Sequence, residues 1–474
     1  MTEQSNTLQS IDDILPIEKA LPALMDAVRS SAMQTEEISG RNQPELRSFS
    51  VPIDISDPLG WLYRQDLFPK LYWMNREKSY WVAGIGAADR IELDTTGSND
   101  RSFSTLDAEM NLKNPHARYF GGFCFNNEQR QDEPWSCFKS YVFILSLIQI
   151  SFSGGETTLS CHLWLHPEED HGNVYRRLLD ALDSVRPSLE APVPKMPEVL
   201  KVSYNPDWNR WKENCNRVLQ SFAEGRMEKV MLARQTVLDF AEPFSPLLFL
   251  MKYPYPENST YRFYFEPLPN HAFFSFTPER LYRRDGNVIL TEALAGTVTK
   301  ETVNADDQEA SELLLNSEKD IREHRFVKDT IYQELQPVCS NIDMEETVQV
   351  LQLNRLAHLY TRCTATLRPE HCNDSTVLRQ LHPTPAVGGV PRGKSMDKIM
   401  SIEPFSRGWY AAPVGWLSRD ASEFAVGIRS ALVSGKHVCL YSGAGLVEGS
   451  NPYSEWAEVD QKIGDILAIT QQHL

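Results

Sequence analysis

Short apolar and aromatic runs dominate the first half of the chain, and helical spacing returns only at intervals. Residues 1–47 read as one or two polar-faced helices. After them KLYWM, SYWVAGIG and YFGGFCF have the density of apolar and aromatic residues expected of strands. SYVFILSLIQISFSGGETTLSCHLWLH sets two β-rich runs about a Gly-Gly turn and predicts a hairpin. NVYRRLLDALDSV then follows helical spacing. Prolines 187, 192, 194 and 197 bar a helix or an inner strand from RPSLEAPVPKMPEVL, which makes this stretch the best candidate linker.

Beyond it, N-P-D-W predicts a helix start with Asn205 as N-cap and Pro206 at the first helical position. Trp208, Trp211, Cys215, Val218, Leu219 and Phe222 then recur at helical spacing, a packing stripe with no chemistry assigned to it. KVMLARQTVLDF, NHAFFSFTPERLYRRDG and NVILTEAL read as strands, and DDQEASELLLNSEKDIREHRFVKDTIYQELQPV as one long amphipathic helical region. The chain is therefore expected to be of mixed α/β (α+β) class. Residues 1–195 and 196–474 form its two parts, with the proline segment either a boundary or a long connection inside one intertwined domain.

Composition narrows the function. With 64 acidic against 47 basic residues among 474, the net charge of −17 argues against nucleic acid and anionic membranes as partners, because phosphate contacts need clustered Lys and Arg. The eight cysteines have no C-x-x-C spacing, which fits a reducing cytosol better than a disulfide framework or a zinc site. The N-terminal stretch lacks a basic start followed by an apolar run, and no segment has the length of a transmembrane helix, so a soluble cytoplasmic protein is expected.

Against that acidic background a few positions carry candidate chemistry. Lys229 interrupts the apolar strand EKVMLAR; a lysine on a solvated face is the commoner situation, and one facing an interior site is the functional one. Glu279 follows a proline in SFTPERL and in isolation is an ordinary turn carboxylate. Asp320 and Glu323 lie three apart in SEKDIREH, and Glu455 and Glu458 three apart in SEWAEVDQK, with Lys462 one turn further on. Such pairs share a helix face and repel unless a cation lies near, and two facing pairs could hold one hard cation through oxygen. Glycines in LAGT (294–297), VGG (387–389) and GAG (443–445) allow backbone N–H groups to approach an anion. Neither G-x-x-x-x-G-K-[ST] nor a strand-borne G-x-G-x-x-G occurs, so no nucleotide cofactor is indicated.

Taken in order, EKVMLAR, SFTPER, TEALAGT, KDIREH, HPTPAVGGVPR, RGWYAAPVGW, EFAVGIRSAL, YSGAGLVEGS and EWAEVDQK resemble the chorismate-utilising enzymes, and within them the isochorismate synthases. The motifs span roughly residues 226 to 467. FGGFCF resembles the N-terminal half of the same family. The resemblance implies a single large fold of two packed antiparallel sheets with helices outside and the active site in a cleft.

It also implies roles. Lys229 would activate water for attack on carbon 2 of chorismate, and Glu279 would protonate the hydroxyl leaving carbon 4. Glu323 and Glu458 would ligate Mg2+, supported by Asp320 and Glu455, and the ion would hold the ring carboxylate. His324 would lie beside the ring. Tyr410, Arg429, the Gly443 and Gly445 backbone and Lys462 would take the pyruvyl carboxylate, with Gly296, Thr297 and Ala386 also contacting substrate. Relatives that go on to eliminate pyruvate tend to have threonine where this chain has Ala386, so isochorismate is the expected final product. The VTK ending of ALAGTVTK departs from the usual TRPR or APR. A long N-terminus leans toward the menaquinone pathway, and the resemblance implies a monomer. A salicylate synthase, a siderophore- or salicylate-pathway supplier of isochorismate, and a non-catalytic metabolite-binding protein on the same scaffold are the rivals.

Overall fold

The structure is a computed structural model that describes residues 14–36, 44–128, 131–187, 192–254, 259–300, 306–353 and 356–471. The expected helical segment 1–47 falls partly outside these residues. Within them Ile17–Glu36 is a helix that buries Ile17, Ala20, Leu21, Leu24 and Val28, one face of a 3.6-residue period.

Antiparallel strands build the body of the protein. One sheet runs, in spatial order, Glu45–Asp54, Glu156–Leu165, Tyr141–Ser153, Tyr80–Leu93, Lys70–Met74, Tyr261–Leu268, His271–Thr277, Ser430–Ser434, His437–Val447, Lys229–Phe240 and Val199–Asn205. The other begins on the same long strand Tyr141–Ser153, whose first residues pair with Tyr119–Phe123. It continues through Pro413–Leu417, Ala421–Val426, Arg280–Asp285, Val288–Thr299 and Leu356–Leu367. The predicted hairpin about Gly154 and Gly155 is present. Its first strand passes from one sheet to the other, alongside Tyr80–Leu93, whose register shifts between Ala87 and Asp89. A bulge of this kind bends a strand, and here it lets one ribbon serve two sheets.

Alternation along the strands then fills two cores. The larger takes Leu71, Trp73, Phe263 and Phe273 from the first sheet and Phe120, Phe143, Tyr282 and Phe424 from the second. The smaller takes the intervening residues Tyr72, Tyr264, Phe274 and Leu440, covered by the helices Ile17–Glu36 and His171–Asp183 and the end of Pro452–Gln471.

Two local expectations are corrected. Asn205 is the last residue of the strand Val199–Asn205, paired with Gln235, and its side-chain amide donates to Gln235 Oε1 at 2.8 Å. The N-cap of the helix Trp208–Ala223 is Asp207, which accepts from Arg210 N, so the helix starts two residues later than predicted. Trp211, Cys215, Val218 and Phe222 of its stripe are buried as expected. The long helical region is two helices, Asp307–Asn316 and Glu318–Leu335, because Ser317 ends the first and caps the second by accepting from Asp320 N.

Candidate active site

A cavity of about 130 Å³ opens where the strands Lys229–Phe240, Val288–Thr299 and His437–Val447 meet the helices Glu318–Leu335 and Pro452–Gln471. It is lined by Lys229, Glu279, Gly296, Thr297, Asp320, Glu323, Ala386, Tyr410, Arg429, Gly443, Gly445, Glu458 and Lys462. Positions scattered over more than 230 residues of sequence thus share one wall.

Lys229 opens its strand, faces the interior and is only 4% exposed, so the solvated-face reading is overturned. Its Nζ donates to Glu323 Oε1 at 2.7 Å. Gly445, on the neighbouring strand, leaves room for this pair: a Cβ there would lie 3.2 Å from Lys229 Cε and 3.6 Å from Glu323 Oε1. Burial opposes the charge on Glu323, but the Lys229 ammonium and its hydrogen bond prevail, and the carboxyl is held below its ordinary range.

Glu279 is 6% exposed just past the strand His271–Thr277. Burial first, and then the negative charge of Glu292, push its pKa up to about 8, against the hydrogen bond from Thr384 and the charges of Lys229 and Lys462. Near neutral pH it therefore carries a proton it can give away.

Of the two acidic pairs, Asp320, Glu323 and Glu458 reach the cavity, whereas Glu455 is buried beside it at 5% exposure and does not line it. Burial and then the charge of Glu458 raise the Glu455 carboxyl to about 7. Glu458 Oε1 pairs with Lys462 Nζ at 2.7 Å, and the same Nζ donates to Gly443 O at 3.0 Å. Among the described residues no three acidic, histidine or cysteine side chains converge on one point, because Glu323 and Glu458 are each turned toward a lysine. The donor set nevertheless suits Mg2+, which takes one or two carboxylates among hard oxygens.

His324 does not reach the cavity. It is 1% exposed, with Nε2 at 2.7 Å from Thr361 Oγ1. The histidine on the wall is His358, which the motifs did not single out. Its Nε2 lies 2.7 Å from Arg429 Nη2, and because arginine only donates, the ring proton sits on Nδ1, facing Thr297 Oγ1 at 3.0 Å and Gly296 O at 3.3 Å. Burial and then Arg429 and Lys462 hold its pKa well below the ordinary value, so it is a neutral brace between Arg429 and the LAGT turn. One signal could have found it: in LAHLYTR it is a polar residue in an apolar strand, in register with Thr297. Arg429 has φ of 48°, a strained backbone for a non-glycine residue, and stands on the cavity wall. Lys319, also on the wall, was not singled out either.

The glycines divide. Gly296, Gly443 and Gly445 are on the wall, but Gly388 and Gly389 are not. Gly389 instead lies against the strand of Lys229, where a Cβ would fall 2.3 Å from Lys229 O. In the departing VTK segment, Lys300 donates to Leu353 O and pairs with Asp307, away from the cavity wall.

Comparison with known proteins matches residues 32–471 to the family described as chorismate binding enzyme. Isochorismate synthase MenF of Escherichia coli is 32% identical over 441 residues, covering 90% of this chain and 94% of that one. The salicylate biosynthesis isochorismate synthase of Pseudomonas aeruginosa is 29% identical, covering 95% and 94%. A solved structure of the Escherichia coli protein, described as the menaquinone-specific isochorismate synthase, superposes with a TM-score of 0.81 at 30% identity, covering 95% of this chain and all of that one.

Proposed function

The chain belongs to the chorismate binding enzymes and acts as an isochorismate synthase, and from that premise we propose how its cavity performs the reaction and what the product feeds. The conversion of chorismate to isochorismate adds water at carbon 2 and expels hydroxide from carbon 4. Water is a poor nucleophile and hydroxide a poor leaving group, so a base and an acid must act in one site. Lys229 is the base and Glu279 the acid. The observation that carries this assignment is that both are buried on one cavity wall, with Glu279 protonated near neutral pH.

Lys229 must be unprotonated to accept a proton from water, and its present partner is the Glu323 carboxylate. Mg2+, with Glu323 and Glu458 as ligands and Asp320 and Glu455 supporting them, would supply the positive charge that holds the ring carboxylate. Arg429, Tyr410, Lys462 and the backbone at Gly443 and Gly445 receive the pyruvyl carboxylate, and the fork of arginine suits a bidentate contact. Gly296, Thr297 and Ala386 border the ring. His324, one layer behind, supports the wall through Thr361.

The product enters menaquinone synthesis, a reading supported by MenF among the relatives, and the enzyme works as a cytoplasmic monomer. Incubation of the purified protein with chorismate, with and without Mg2+, tests the proposal when the products are separated by chromatography. Isochorismate that depends on Mg2+ and forms without pyruvate is the expected result. Salicylate with an equal amount of pyruvate would overturn the assignment of the final product.

A further inference from the structure

Both residues that flank Glu279 in the chain are tied to one buried ion pair. Arg76 lies just beyond the strand Lys70–Met74, in the N-terminal half. Its Nη1 donates to Pro278 O at 2.9 Å and to Glu292 Oε1 at 2.8 Å, while Nη2 donates to Glu292 Oε2 at 2.8 Å. On the other side of Glu279, the backbone N–H of Arg280 donates to Glu292 Oε1 at 2.9 Å. The Glu292 side chain is fully enclosed, that of Arg76 is 8% exposed, and the Arg280 guanidinium approaches Glu292 to 3.7 Å.

We propose that Glu292, gripped by Arg76, is a positioning residue for Glu279: the pair fixes the peptide groups on either side of the acid and places the Glu292 carboxylate behind it. This inference rests on the reading of Glu279 as the proton donor. A two-pronged arginine–carboxylate contact has a narrow range of geometry, and inside the protein it cannot relax into water. The chain at Pro278 and Arg280 therefore has little freedom, and the Glu279 carboxyl between them points into the cavity.

The charge acts separately from the geometry. Groups facing Glu279 are Glu292 from the strand Val288–Thr299, Lys229 from Lys229–Phe240, Lys462 from Pro452–Gln471, and Thr384, Tyr410 and Arg429 from the connecting segments. Glu292 is the anion in this set. It opposes the three cations, which would otherwise favour loss of the proton Glu279 must donate.

Glu292→Gln removes the charge and keeps one oxygen for Arg76 Nη1 and Arg280 N, but sets its amide nitrogen against Arg76 Nη2 and so weakens the grip as well; compared with Arg76→Lys, which keeps the charge, it separates the two effects. Two readouts apply: the pH profile of kcat/KM for isochorismate formation, and the infrared band of the protonated Glu279 carboxyl, assigned with Glu279→Gln. In Glu292→Gln the alkaline limb and the midpoint of the band should both move to lower pH by about one unit. The shift alone should lower kcat at pH 7 only about twofold, and the lost Nη2 contact should take the fall to about tenfold while KM for chorismate changes little. Arg76→Lys keeps the charge and gives up the grip, so it should lower kcat with the limb in place. Asp374→Asn, in the buried pair with Arg284, is the structural control: it should lower the melting temperature and leave the limb where it is.

Loss of activity in Glu292→Gln with limb and band unmoved would overturn the proposal. If the wild type makes no isochorismate, the proposed function fails. The infrared midpoint still decides whether Glu292 sets the protonation of Glu279.

Discussion

At Glu279 one carboxyl group ties the chemistry to the stability of the fold. Its folded pKa of about 8, raised by burial and then by Glu292, stands above the ordinary 4.5. The folded protein thus holds this proton more tightly than the unfolded chain, and the stability it contributes is fully present below the unfolded value and lost as pH rises through about 8. Glu279→Gln keeps the shape with no proton to lose. Turnover should drop by roughly two orders of magnitude or more. Between pH 5 and pH 9 the variant should nevertheless gain on the wild type in thermal stability, by up to about 4 kcal/mol. Melting curves at both pH values check this, and parallel pH dependence of the two proteins would contradict it. Residues of this kind were legible as types and spacings, but the direction a side chain takes was not. Lys229 sits in a strand buried along nearly its whole length, where apolar neighbours on both faces erase the alternation that would mark the inner side. His358 lies among the four buried residues that open its strand, before the alternation begins, and His324, named by its place in a motif, lies one layer deeper than the cavity wall.

Elements bring these side chains to one place, and the contact of Gly389 with the Lys229 strand is a sensitive point. Gly389 has φ of +141° and pairs with Val230, with Lys229 O and Ser395 Oγ where a Cβ would need to be, at 2.3 and 2.7 Å. Gly389→Ala must therefore push the strand away or strain its own backbone, costing about 2–3 kcal/mol. Because Lys229 moves with the strand, the rate should fall about tenfold or more as well. Gly393, in the helix Arg392–Ile402, meets nothing within 4 Å of its Cβ position, and Gly393→Ala should leave the rate unchanged and stability equal or slightly higher. Melting temperature and kcat measured on both variants decide the matter: a Gly389→Ala protein as active as Gly393→Ala would show that the contact does not position Lys229. Strands and the hairpin were readable from composition and Gly-Gly turns, since these are local properties. The break at Ser317 was not, because a serine inside an amphipathic run is compatible with a continuous helix until its hydroxyl is seen accepting from Asp320 N. Asp207 displaced Asn205 as N-cap because pairing with Gln235 kept Asn205 in the sheet.

Across the whole molecule, pairing between distant segments outweighs anything marked locally, including the proline-rich stretch after residue 186. Residues 187 and 192–198 of it lie outside helices and strands, as prolines require, but the ladders continue on both sides of it. Lys70–Met74 is inserted between Tyr80–Leu93 and Tyr261–Leu268, and Tyr119–Phe123 between Tyr141–Ser153 and Pro413–Leu417. Arg76 crosses the same divide to pair with Glu292. We therefore propose that residues 1–195 and 196–474 form one structural domain. A fragment of residues 196–474 would bare an edge of each sheet, along Tyr261–Leu268 and Pro413–Leu417, and would leave Glu292 without its bidentate partner. Expressed alone, it should aggregate or lack a cooperative unfolding transition, and it should not convert chorismate. Supplying residues 1–195 in the same cell should recover soluble, active complex if the two pieces can still complete the sheets. Size-exclusion chromatography, thermal unfolding and turnover of the fragment test the proposal together. A soluble 196–474 fragment with a sharp transition and measurable isochorismate formation would mean that the catalytic region is a domain in its own right, with the N-terminal strands only added to its edges.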